Sequence, residues 1–175
     1  ALDNLLQPYT VNFVTVVKVY DPYIFFEVIG AIDHNIVMFD TATGSTTFLS
    51  GRVLTYRYSQ SASYYIRLSA DGHFLRYWTD NGEIPTQFTL IEQDLDTGDI
   101  QVIHQIEAND VAVFFADETG DKWLFYDPDE STLVLYRADG TTQDLTAIDQ
   151  LDNTFVNIWG DQVLIRTDEP SDQDH

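Results

Sequence analysis

One cadence runs through this chain and constrains its fold more than any other feature. Five to eight apolar, aromatic or β-branched residues are followed by a short corner of Asp, Gly, Asn or Thr, and the pattern repeats almost to the end. The first such group is "TVNFVTVVKVY", "YIFFEVIGAI", "NIVMFD" and "STTFLSG". A second reads "VLTYRYS", "SYYIRLS", "HFLRYWTD", "TQFTLIEQDL" and "IQVIHQI", and a third "DVAVFFAD", "KWLFYD", "TLVLYRAD" and "TTQDLTAI". The last and shortest has "TFVNIWG" and "QVLIRTD". Helical spacing of apolar residues is almost absent, so the chain is expected to be all-β.

The corners carry their own chemistry. Asp71-Gly72 and Asp139-Gly140 are two-residue hairpin signals, because Asp and Gly tolerate the positive φ that a turn matching strand twist demands. "DTATG", ending at Gly44, and "DLDTG", ending at Gly98, occupy equivalent places after an apolar strand and before a shorter, more polar one. Asn81-Gly82, Thr119-Gly120-Asp121 and Gly160-Asp161 complete the set. Gly44, Gly98 and Gly140 recur at intervals of roughly forty to fifty-five residues, the range of a four-stranded repeat. "IVMF", "AVFF", "KWLFY" and "TLVLY" are continuously apolar rather than alternating, which predicts strands covered on both faces.

With these residues in view, the chain resembles the β-propeller families, most nearly the WD40-like, TolB-type blade, in which an apolar strand leads through a D-x-x-T-G corner to a short outer strand. The residues that carry the resemblance are "FDTATGSTTFL", "QDLDTGDIQVI" and, in degenerate form, "YRADGTTQDL". "DVAVFFADETGDKWLFYDPDES" is also similar to a hemopexin-type repeat, although the closing disulfide usual there has no cysteine to form it. The resemblance implies a propeller-like array of antiparallel four-stranded blades, about four and partial at the end, with the N-terminal strand around Val11 to Val17 available to complete the last group. A β-sandwich or barrel is the alternative architecture. Residues 1–9 read as an N-terminal extension, 10–167 as a single β domain, and 168–175 as a disordered acidic tail.

Composition bounds the function classes. Twenty-nine acidic residues against eight basic ones give a net charge of −21, and only Lys18 and Lys122 are lysines. Such a polyanion is repelled by nucleic acid and by anionic lipid, so neither is expected as a partner, and no apolar run approaches the ~20 residues of a membrane span. The acidity fits Asp-rich turns, a cation-rich exterior or a docking face for a basic partner, and the chain is expected to work outside the cytoplasm, in the periplasm, at the cell surface or secreted. The absence of cysteine removes disulfides, thiolate catalysis and Cys-based zinc sites. Serine-nucleophile and glycine-rich phosphate motifs are missing as well.

Four residue sets remain. Asp117, Asp121, Asp127 and Asp129 are a candidate Ca2+ site of oxygen ligands, and no other cofactor is implied. "DLDTGD" is not an EF-hand, since its twelfth position is Gln105 where a bidentate Glu is required. Glu27 and Glu92 sit within apolar strands, where burial suits a carboxylic acid catalyst of an acid glycoside hydrolase or lyase. His34, His73, His104 and His175 have no metal-ligand spacing. Tyr56, Arg57, Tyr58, Tyr64, Tyr65, Arg76, Tyr77 and Trp78 combine the residue types that dominate protein interfaces and that also stack on sugars. Their alternative role is packing between blades, with arginine stems over aromatic rings. The leading expectation is a non-catalytic protein-binding module or assembly subunit, with a basic partner or a second copy bound; hydrolase and Ca2+-dependent or carbohydrate-binding roles are the alternatives.

Overall fold

The computed structural model describes residues 11–30, 34–53, 65–83, 86–108, 112–127, 132–145, 155–159 and 162–166. Every regular element among them is a β-strand. The first sheet is a meander of β1 (Val11–Tyr20), β2 (Tyr23–Gly30), β3 (His34–Asp40) and β4 (Thr46–Phe48), all antiparallel neighbours. The second comprises β5 (Arg52–Val53), β6 (Ile66–Leu68), β7 (Phe74–Asp80), β8 (Thr86–Asp94) and β9 (Ile100–Ala108). The third runs β10 (Ala112–Ala116), β11 (Lys122–Asp127), β12 (Thr132–Arg137) and β13 (Thr142–Leu145), and β14 (Phe155–Trp159) pairs with β15 (Gln162–Arg166) in a fourth.

In the second sheet, β5 and β6 share one partner: Val53 lies opposite Thr79, Ile66 opposite Tyr77, and the Trp78 N–H donates to the Tyr65 carbonyl between them. Together they fill the position that β1 and β10 hold in their own sheets.

Continuous apolar strands bury both faces where a sheet is sandwiched between two others, as the second and third sheets are. In β11, Trp123 and Phe125 join Tyr65, Trp78, Phe88 and Leu90 in the core between the second and third sheets. Leu124, between them in sequence, points the other way and packs with Leu133, Leu135 and Ile158. Tyr77 likewise joins the core between the first and second sheets, with Phe25, Ile36, Met38, Ile66 and Leu75, while its neighbour Trp78 serves the next. Trp78 meets Phe125 at 4.6 Å and Trp123 edge-on at 6.3 Å between ring centroids.

The two D-x-x-T-G corners share one backbone hydrogen-bond pattern. Asp40 N donates to the Ser45 carbonyl and Gly44 N to the Asp40 carbonyl, at 2.9 and 2.8 Å; Asp94 N to Asp99 and Gly98 N to Asp94 repeat this at 2.8 and 2.9 Å. The Asp40 carboxylate accepts from the backbone of Ala42 and Thr43, as Asp94 does from Asp96 and Thr97. The Arg137–Thr141 corner is one residue tighter, with Gly140 N donating to Arg137, which is why its sequence is degenerate.

One expectation is corrected. β1 is hydrogen-bonded to β2 at the start of the first sheet, and among the described residues β14 and β15 pair only with each other, so the N-terminal strand does not complete the last group. Val17 and Tyr20 of β1 pack instead against the core shared with the second sheet.

Candidate binding cleft at the inner strand ends

The first strands of three consecutive sheets end together. The C-terminal ends of β1, β6 and β10 line a cleft of about 480 Å3 through Lys18, Tyr20, Arg67, Leu68 and the Ala116–Thr119 corner. A bulge puts Lys18 there: the β1–β2 register slips between Val16 and Lys18, so Lys18 lies opposite Phe25 and shares its face, toward the second sheet. Without that extra residue, strict alternation would turn Lys18 outward.

The cleft holds two cations in a strongly anionic protein. Arg67 is 9% exposed; its Nε donates to the Asp117 carbonyl and its Nη1 to the Ile66 carbonyl, both at 2.9 Å, and its guanidinium stacks 5.9 Å from the Trp123 ring centroid. The Lys18 Nζ lies 5.1 Å from the centroid of Tyr20, whose hydroxyl donates to the Ile66 carbonyl at 3.3 Å. Burial pushes the Lys18 ammonium below its ordinary pKa, the Arg67 charge pushes it further down, and Glu118 pulls it partly back. Burial raises the Tyr20 hydroxyl, partly offset by Arg67. Among the described residues no carboxylate stands within ion-pair distance of Lys18. An anion entering the cleft would therefore meet a half-buried ammonium reinforced by a fixed guanidinium.

Beside the cleft, a second arginine locks the sheets together. Arg76 pairs across the strands with Arg67 on the same face. Its Nε donates to Glu92 at 2.7 Å, and its Nη1 to Asp121 at 2.5 Å and to the Thr119 carbonyl at 3.3 Å. Gln101 also donates to Glu92. Gly120, at φ +71°, sits so close that an added Cβ would lie 2.6 Å from the Arg67 Cβ, so this corner requires glycine for both conformation and space.

The sequence-predicted sites resolve against this geometry. The Asp117 carboxylate accepts from the Asp121 N–H at 2.9 Å, and Asp121 is the ion-pair partner of Arg76. Asp127 closes the far end of β11, about 20 Å from Asp121 by strand rise, so the proposed ligand set does not converge on one cation. Asp129 lies outside the described residues. No cluster of three His, Asp or Glu side chains suited to a metal occurs among the described residues.

Tyr65, Tyr77 and Trp78 are at most 1% exposed and belong to the two inter-sheet cores. They present no surface to a partner, and Arg76 is the inter-sheet clamp: the packing alternative describes all four. Tyr56, Arg57, Tyr58 and Tyr64 lie outside the described residues. Glu92 is fixed between Arg76 and Gln101 at the wall of a smaller cleft of about 180 Å3, while Glu27 sits half-buried on β2 and does not line it. His73 contacts Asp96 at 2.6 Å, His104 contacts the Arg137 carbonyl at 3.0 Å, and His175 lies outside the described residues.

The cleft residues Lys18, Tyr20 and Arg67 formed no predicted site. The available signal was Lys18 itself, a rare lysine interrupting the apolar run "VNFVTVVKV".

No family model matches the chain, and no curated protein matches its sequence. Among solved structures, the β-propeller domain of the Trilobed protease from Pyrococcus furiosus, described as having an open velcro topology, is similar at a TM-score of 0.60 and 12% identity, over 93% of this chain and 52% of that one. TolB from Acinetobacter baumannii is similar at 0.46 and 15% identity, over 71% of this chain and 29% of that one. The chain thus spans about half the length of the propeller domain it matches. Its four stacked antiparallel sheets are blades, and its fold is that of a β-propeller.

Proposed function

We propose that the chain is a non-catalytic, propeller-type binding module whose inner cleft receives a carboxylate displayed by a protein partner. The observation that carries this reading is the half-buried Lys18, set beside Arg67 where three blades meet, acted on by Glu118 at the cleft wall but with no described carboxylate within ion-pair distance. One charge-assisted hydrogen bond in such a site contributes about 1.5–3 kcal/mol, enough to select a carboxylate over an amide. The net charge of −21 restricts the partner to one that is neutral or basic around the recognised group, because a polyanion would be repelled before reaching it. A protein of this charge also suits a cation-rich exterior, and the proposal includes an extracytoplasmic location.

Calorimetric titration of a peptide series with free or amidated C-termini tests it. Free carboxylates should bind at least tenfold tighter than their amides, and Lys18→Met, which keeps the apolar stem, should abolish the difference while leaving the melting temperature nearly unchanged. Equal binding of acid and amide forms would defeat the reading.

A further inference from the structure

The corner between β10 and β11 that walls the cleft is tied down at nearly every polar group. The Asp117 carbonyl accepts from the Arg67 Nε at 2.9 Å, and the Asp117 carboxylate from the Asp121 N–H at 2.9 Å. The Thr119 carbonyl accepts from the Arg76 Nη1 at 3.3 Å and the Gly120 carbonyl from the Trp123 Nε1 at 2.8 Å, while the Thr119 hydroxyl donates to the Asp121 carboxylate at 2.7 Å. The Glu118 side chain stands apart from this network. It is exposed on the cleft wall, and among the described residues no hydrogen bond or ion pair holds it. Its charge still reaches inward, favouring the Lys18 ammonium and opposing ionisation of the Tyr20 hydroxyl. Glu118 is thus near enough to act on Lys18 and too far to pair with it, and the cleft that both line leaves room for a guest group between them.

A cleft with cations on one side and an untethered carboxylate on the other is poorly matched to a bare anion, which Lys18 and Arg67 attract and Glu118 repels. A guest that carries its own cation close to its carboxylate turns that repulsion into a second contact. We infer that Glu118 is a specificity-determining residue of the cleft, receiving a lysine or arginine side chain from the last two residues of a partner polypeptide whose terminal carboxylate meets Lys18. Two residues of extended chain span at most about 7 Å, so both contacts fall within one cleft. The same charge disfavours partners with acidic ends, so the cleft selects by repulsion as well as by attraction. Position separates this role from the general pull of 29 acidic residues: the field of the whole molecule favours a basic partner wherever its positive charge lies, whereas Glu118 favours a cation beside the carboxylate. This role rests on the carboxylate reading of the cleft and adds to it the chemistry of the partner's end.

Calorimetric titration with N-acetylated octapeptides of one composition, built from glycine, serine, alanine and a single lysine, tests the proposal, because such isomers share one net charge and differ only in where the lysine stands. With free C-termini, the isomer carrying lysine next to last should bind at least fivefold tighter than the isomer carrying it second from the start. Glu118→Gln should bind the two isomers alike and keep the melting temperature of the parent, since the altered side chain is exposed and nearly isosteric. In the free protein the same substitution should lower the Lys18 titration midpoint followed by NMR, because Glu118 holds it up. Isomers that bind the parent equally, while amidation still weakens both, overturn the role of Glu118 and leave the carboxylate reading standing. A lysine preference that survives Glu118→Gln overturns it by placing the cation's contact elsewhere, and an unchanged Lys18 midpoint overturns it by taking Glu118 out of the cleft's field. Amidated peptides that bind as tightly as the free acids overturn the carboxylate reading itself, and the role of Glu118 with it.

Discussion

At the scale of single residues, the acidic corners decide how this protein responds to acid. Asp40 is held below its ordinary value of 3.8 chiefly by the Thr43 hydroxyl, with help from the Ala42 and Thr43 N–H groups; Asp94 is held down chiefly by the Thr97 and Asp96 N–H groups. The Ser69 hydroxyl does the same for Asp71, and the Thr141 hydroxyl for Asp139. A carboxyl whose folded-state pKa is depressed stabilises the fold above its unfolded value, and that contribution disappears as pH falls through the folded value. The four corners should therefore stabilise the protein fully at pH 6 and lose their contribution below about pH 4. Melting temperature followed from pH 6 to 2 should fall steeply at the acid end. An Asp40→Asn/Asp94→Asn variant keeps an oxygen for the same N–H groups but cannot titrate, so its acid loss should be smaller. Identical acid profiles for the two proteins would show that these corners do not govern it.

At the scale of strands and sheets, the arginine clamp joins two blades and is open to a double-mutant test. Arg76 and Glu92 are each 8% exposed and hydrogen-bonded at 2.7 Å. Truncating one partner strands the other charge in a largely dry site, at a cost of about 3–5 kcal/mol, whereas replacing both by apolar groups of similar size is often close to neutral. Urea unfolding should show Arg76→Ala strongly destabilised and Arg76→Met/Glu92→Leu within about 1 kcal/mol of the parent. If the double variant lost as much as the single one, the clamp's contacts to Thr119 and Asp121 would outweigh the Glu92 pair. The clamp also marks the limit of what the sequence discloses. Strand grouping was legible because the corners punctuate it: the four predicted groups are the four sheets, down to the extra strand segment in the second. Burial on both faces was legible in the unbroken apolar runs of β11 and β12. The assignment of Arg76, Tyr77 and Trp78 to packing rather than to a partner was not, because Tyr, Trp and Arg serve core and interface alike and only the pairing of β7 with β6 and β8 shows which neighbours they meet. Lys18 was hidden for a related reason. Its direction depends on a one-residue bulge, and the sequence "TVVKVY" does not announce a bulge.

At the scale of the whole molecule, charge sets the terms on which everything else operates. Twenty-nine carboxylates and eight basic side chains occupy one fold, and two of the arginines are committed to the junction between the second and third blades. The ion pairs among the described residues are too few to neutralise this excess, so the folded state carries a self-repulsion that the expanded unfolded chain relieves. Salt shortens the range of that repulsion from about 30 Å at 0.01 M to about 3 Å at 1 M, while exposed ion pairs lose little because they contribute little. Stability should consequently rise with NaCl, the reverse of a fold held by surface salt bridges. Any self-association would raise it too, but mass action makes such a part depend on protein concentration, and repulsion within one chain does not. Thermal unfolding of the chain at 2 and 50 μM, each from 10 mM to 1 M NaCl, separates the two effects. The melting temperature should climb with salt along the same curve at both concentrations. A flat or falling curve would mean that the acidic side chains are arranged to avoid one another, and that the −21 charge weighs on partner choice without weighing on the fold.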